Sequence, residues 1–169
     1  GARTFPGSTA AVAGPSGYDL AGDANRARIS DSFQGGDAVS NFEPWTGIVS
    51  FDLNTNWHYT MDEPPSNRLD LFTVAVHEIG HVLGVGTSGA FDALIVGGST
   101  PGFNGFNATA LNGGAPVPLD PFEGHVADGF AGDIVLLDPT LSSGSRMRPS
   151  EYDKAILADI GYDIDGFVT

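Results

Sequence analysis

The sequence predicts a single small α+β domain: a small twisted sheet packed on one long helix, then a loop-rich half closed by a C-terminal helix. Three observations carry this expectation. Residues 71–83 repeat apolar side chains at helical spacing, residues 47–53 alternate apolar and polar ones, and the 169 residues include 24 glycines and 11 prolines. A chain of this length, 41% hydrophobic, buries one core, so a single domain over 1–169 is expected.

The elements follow in chain order. Residues 1–34 are rich in Gly, Ala and Pro and predict loop, with one short helix between Tyr18 and Arg28. Ala38–Phe42 is a weak strand candidate that stops before Pro44. Gly47–Leu53 is the strongest strand, with β-branched Ile48 and Val49 in alternation with polar neighbours. Asn54–Asn67 is a turn-rich connection, and Pro64-Pro65 keeps helix out of it. Asp70 is placed to cap the helix 71–83, whose stripe is Leu71, Ala75, Ile79, Val82 and Leu83, and Gly84 is placed to end it. Residues 85–149 show no long periodic segment, only the apolar run Ile134–Leu137. Ser150 and Asp153 predict a capping box opening a final helix to about Ile160, closed by Gly161.

Charge and composition exclude several functions. With 7 basic against 21 acidic side chains, the net charge is −14, so no basic patch is available for nucleic acid or an anionic membrane. No apolar run approaches the roughly 20 residues of a membrane span. The absence of cysteine removes disulfides and thiolate metal sites, leaving His, Asp and Glu as metal ligands. The composition suits a secreted domain.

His77-Glu78-Ile79-Gly80-His81 is an H-E-x-x-H motif on the predicted helix. Residues four apart share a helix face, so both imidazoles reach one ion, while Glu78 projects beside that face. The pattern points to a catalytic Zn2+ at His77 and His81, with Glu78 as general base toward a zinc-bound water. A catalytic zinc takes a third protein ligand. The extended motif would put a histidine at position 87, where the chain has Thr87. His125, 44 residues after His81, is therefore assigned as the third metal ligand. Asp92 and Glu123 remain as alternatives, although Pro121 and Gly124 disfavour a helix at Glu123. His58, beside Trp57 in a turn, is read as structural.

Calcium is a secondary expectation. Asp52, Asn54, Asn56 and Glu63 fall at positions 1, 3, 5 and 12 of an EF-hand-like loop, but Trp57 stands where that loop needs glycine, which favours a plain polar turn. Asn107-Ala108-Thr109 is a glycosylation sequon.

The segment Phe51–Gly84, with Phe51-Asp52, Asn56-Trp57 and the run Asp70–Gly84, resembles the matrixin branch of the metzincin zinc metallopeptidases. Ser145-Arg146-Met147-Arg148-Pro149 resembles their Met-turn, which makes Met147 the methionine beneath the metal. The long insertion before His125 is similar to that of leishmanolysin-like metzincins, and parts of 85–138 resemble a group of bacterial secreted metzincin-like proteins. The resemblance implies a zincin catalytic domain, its N-terminal part abbreviated, that hydrolyses peptide bonds in protein or peptide substrates as a secreted monomer. It also implies a cleft in which substrate lies against a sheet edge, for which residues 36–42 are the candidate. Position 149 is Pro, so no tyrosine two residues after the methionine assists the reaction. Thr87 motivates the alternative: a secreted binding or adhesion module on a degenerate peptidase fold, with structural zinc or none.

Overall fold

The structure, a computed structural model, describes residues 1–15, 46–132 and 135–168. The helix expected between Tyr18 and Arg28, the strand at 38–42, the cleft edge at 36–42 and Ile134 lie outside the described residues. The fold is mixed α+β, built from small sheets and a few helices.

The first sheet has the order β1 (Ala2–Arg3), β3 (Gly47–Asp52), β2 (Ala11–Pro15). β1 runs parallel to β3 with Ala2 opposite Phe51, and β2 runs antiparallel with Ala11 opposite Phe51 and Pro15 opposite Gly47. The expected strand at 47–53 thus forms, one residue shorter. Its two neighbours come from residues 1–15, which were expected to be loop. Ala-Val-Ala-Gly-Pro carries no alternation of its own, and its extended form is set by the ladder it makes with β3. Asp52 adds a tie, since one carboxylate oxygen accepts the Phe5 N–H at 3.0 Å.

A parallel pair, β4 (Trp57–His58) and β5 (Leu69–Asp70), launches the long helix α1 (Leu71–Val82) directly. The Trp57 indole N–H donates to the Asp52 carbonyl at 2.8 Å, and its ring meets Phe51 edge-on at 5.9 Å. These contacts join the pair to the first sheet, whose strands β2 and β3 pack on α1.

Both ends of α1 are closed as expected. Asp70 is the N-cap and accepts the Thr73 N–H at 3.1 Å. At the other end Val85 N–H reaches the Gly80 carbonyl at 3.1 Å and Gly84 N–H the His81 carbonyl at 3.2 Å, a Schellman pair. Gly84 takes φ 109°, which an L side chain resists.

The second half contains more regular structure than its sequence suggests. α2 (Gly89–Asp92) and α3 (Phe106–Leu111) flank an antiparallel sheet in the order β6 (Ile95–Val96), β7 (Gly102–Phe103), β8 (Val117–Pro118). α4 (Glu151–Asp159) closes the chain, with both halves of the Ser150–Asp153 capping box formed. The main core lies here. Phe91 and Phe103 stack at 4.8 Å, buried with Leu137, Ile156, Ile160 and their neighbours. These residues are scattered over short elements, so no periodicity announces them.

Asp159 caps α3 from outside, accepting the Asn107 and Ala108 N–H groups at 2.8 and 2.9 Å. Asn107 is buried. Its side-chain amide donates to Asp159 and to the Val168 carbonyl, and its oxygen accepts the Val168 N–H. The sequon asparagine therefore clasps the C-terminal segment. Asn107→Ala is expected to lower unfolding free energy by about 1–3 kcal/mol, because it strands buried partners. Denaturant titration checks this, and a change below about 0.5 kcal/mol, the ordinary surface range, contradicts it.

Candidate metal centre

α1 holds His77 and His81 one turn apart on its inner face, and the loop after β8 brings His125 to them. Nε2 of His81 lies 3.1 Å from Nε2 of His77 and 3.1 Å from Nε2 of His125. The ring centroids are 4.9, 4.7 and 5.3 Å apart. Among the described residues this group has ligand atoms that all lie within 4.8 Å of one another. His77 and His81 are buried, and His125 is half-buried.

The outer nitrogens fix which way the rings face. His77 Nδ1–H donates to the Leu136 carbonyl at 2.7 Å, and His81 Nδ1–H donates to the Val85 carbonyl at 2.9 Å. Carbonyls only accept, so both rings carry their proton on Nδ1 and turn an Nε2 lone pair inward. The Schellman turn is what carries the Val85 carbonyl back over His81. The Leu136 carbonyl is held by Asp153, whose carboxylate accepts the Leu136 and Leu137 N–H groups at 3.0 Å each. Nδ1 of His125 faces the Asp120 carboxylate at 3.6 Å.

This donor set fits a cation. The inward lone pairs of His77 and His81, 3.1 Å apart, cannot bond to one another, whereas ligands of a tetrahedral ion with about 2.05 Å bonds stand about 3.3 Å apart. Three imidazoles suit zinc among the common biological ions. Burial is the main cause that lowers the His77 pKa to about 4 and also lowers that of His81, so both are unprotonated near neutral pH.

Glu78 lies beside the histidines, buried to 6% exposure, with Oε2 lacking a hydrogen-bond partner among the described residues. Burial pushes its carboxyl up to about 7. A carboxyl with that pKa is suited to exchanging a proton near neutrality. It opens, with His77 and His125, into a cleft of about 540 Å³ walled by Ser8–Val12 on one side and Pro139–Leu141 on another.

The other candidates lie elsewhere. Asp92 and Glu123 are exposed and outside the converging group. Thr87 donates its hydroxyl to the His81 carbonyl, capping the end of α1. His58 is buried in its turn and bonded to the Asp62 carbonyl. Both Asp52 oxygens are taken, by Phe5 and by Asn54 and Thr55, as in a polar turn. Met147 is half-buried, and its N–H donates to the Thr73 hydroxyl in the first turn of α1 at 2.8 Å. Beside it Arg146 forks onto the fully buried Asp70, with bonds of 3.0 and 2.6 Å.

Sequence reasoning missed the groups that orient the ligands. The carbonyls of Val85 and Leu136 belong to no residue-type pattern. Asp120 and Asp153 were visible as carboxylates, but their roles depend on loop closure. The cleft wall Ser8–Val12 lies in a segment expected to be loop.

The matrixin family model matches residues 23–99. Metalloendoproteinase 4-MMP of Arabidopsis thaliana is 46% identical over 55 residues, 32% of this chain and 16% of that protein. Matrix metalloproteinase-25 of Mus musculus is 42% identical over 52 residues, 31% of this chain and 8% of that protein. Metalloendoproteinase 1 of Glycine max is 40% identical over 57 residues, 32% and 19% of the two chains. The chain thus spans less than a fifth of the length of these curated relatives. No solved structure matches it. Among the described residues no helix is long and apolar enough to cross a membrane. Over residues 23–99 the chain is similar to the matrixins, a likeness that takes in His77, Glu78 and His81 and stops before His125 and Met147.

Proposed function

We propose that this chain is the catalytic part of a secreted, metzincin-type zinc endopeptidase. The observation that carries the proposal is the convergence of three Nε2 atoms beside a buried carboxyl oxygen, unpartnered among the described residues, in a cleft. His77, His81 and His125 would hold the metal. Bound there, zinc supplies Lewis acidity, polarising the scissile carbonyl and acidifying water.

The chain's own residues do the rest. Glu78 takes a proton from the attacking water and returns it to the leaving amine, which its pKa of about 7 before metal loading and its place beside His77 allow. The Leu136 and Val85 carbonyls keep the two helix-borne rings in their ligand tautomer. An extended substrate lies along the cleft wall at Ser8–Val12, where β2 ends the described sheet and offers backbone groups for strand addition.

Zinc-loaded protein is expected to cleave an unfolded polypeptide, to stop when zinc is stripped by a chelator, and to resume when zinc is restored. Zinc-loaded protein that leaves unfolded polypeptides and a peptide library intact would contradict the proposal.

A further inference from the structure

Two of the three imidazoles are placed by a helix, whose backbone geometry fixes their separation. The third sits on a loop with no helix or ladder at its tip, and something else must fix it. We propose that Asp120 is the positioning residue of His125, closing the loop 120–125 and setting the ring that the loop presents. This rests on the zinc reading of the site.

Asp120 is 9% exposed. Its Oδ1 accepts two successive amides, Gly124 N–H at 2.9 Å and His125 N–H at 3.1 Å. Its own N–H donates to the His125 carbonyl at 2.9 Å, and its carbonyl accepts the Glu123 N–H at 3.0 Å. Four hydrogen bonds to one residue therefore tie off six residues, and they hold Glu123 at φ 60°, a conformation costly for a residue with a Cβ. Gly86, just past α1, packs so closely on Gly124 that a Cβ there would collide with the Gly124 backbone. The closed loop is thereby set against the end of the helix that carries His81.

The second oxygen acts on the ring. Asp120 Oδ2 stands 3.6 Å from His125 Nδ1. A carboxylate there favours the proton on Nδ1 and leaves the Nε2 lone pair aimed at His77 and His81. His77 and His81 obtain the same result from neutral carbonyls. His125, half-buried and on a loop, obtains it from a charge.

The test compares Asp120→Asn and Asp120→Ala with the wild-type chain, on purified full-length protein. Asn retains an oxygen for the two amides and loses the charge facing Nδ1; Ala loses both. Zinc affinity, measured by competition with a chromophoric chelator, is expected to fall about 10–100-fold for Asn and further for Ala. The imidazole nitrogen shifts of metal-free protein, read by NMR, are expected to show His125 as the Nδ1–H tautomer in wild type and as a mixture in Asp120→Asn. Glu123→Asn, on the same loop and tolerant of positive φ, is expected to leave zinc affinity unchanged. Asp120→Asn protein that binds zinc within threefold of wild type with an unchanged His125 tautomer overturns the proposal. If wild type binds no zinc, the zinc reading fails. The tautomer readout still decides the role of Asp120, because a wild-type His125 protonated on Nε2 refutes it.

Discussion

Glu78→Gln is expected to keep zinc and lose proteolysis. Gln is nearly isosteric, so the three imidazoles keep their places, but it cannot carry a proton from water to amine. The loss expected for removing a general base is about 10²–10⁴-fold in kcat/KM. Metal content by mass spectrometry and initial rates on a peptide decide the matter together. Full activity in the variant would remove Glu78 from the mechanism.

The same substitution has a signature in metal-free protein. Burial raises the folded-state pKa of Glu78 from 4.5 to about 7, so between these values the folded chain holds a proton that the unfolded chain has released. The group's favourable contribution is thus complete below about 4.5 and is lost as pH rises through about 7. Gln has no charge to bury. The melting temperature of metal-free Glu78→Gln should exceed that of wild type by an amount that grows from pH 4.5 to 7 and then levels. A pH-independent difference would contradict the burial argument.

Arg146→Ala is expected to destabilise the fold from outside the core. Asp70 is fully buried, and the bonds from Arg146 and Thr73 outweigh the effect of burial and hold its carboxyl below its ordinary value. Arg146 also donates to the carbonyls of Met61 and Thr60 at 2.5 and 2.7 Å. One guanidinium therefore joins the Met147 segment, the 60–61 turn and the first turn of α1. Arg146 itself is half-buried, so the cost is that of leaving the buried Asp70 oxygens without their partner, typically about 1–3 kcal/mol. For a chain of this size that corresponds to a melting temperature lower by roughly 2–12 °C. Arg146→Lys should recover only part, because an ammonium cannot fork onto both oxygens. The double variant Asp70→Asn/Arg146→Met should be less destabilised than Arg146→Ala, having no buried charge left over. A loss below about 0.5 kcal/mol for Arg146→Ala, the range of an ordinary surface substitution, would contradict this.

These residues also show where the fold could be read in advance. α1 and α4 were legible because their signals are local: Asp70 and Gly84 at the ends of one, the Ser150–Asp153 box on the other. β3 announced itself by alternation over six residues. β1 and β2 did not, because a two-residue strand has no period and β2 owes its form to its partner. The core around Phe91 and Phe103 was illegible for a similar reason, since its members are single residues from short elements. In the site, helical spacing pointed to His77 and His81, and elimination pointed to His125. The orienting carbonyls of Leu136 and Val85 are backbone atoms, and no residue type can signal them.

The most direct measurement is the coordination sphere of bound zinc, by X-ray absorption or a crystal structure of the loaded protein. The expected result is one zinc per chain with three imidazole nitrogens, from His77, His81 and His125, at about 2.0–2.1 Å, and a fourth position open to water or substrate. A zinc closed by four protein ligands, or one that leaves His125 free, would contradict it.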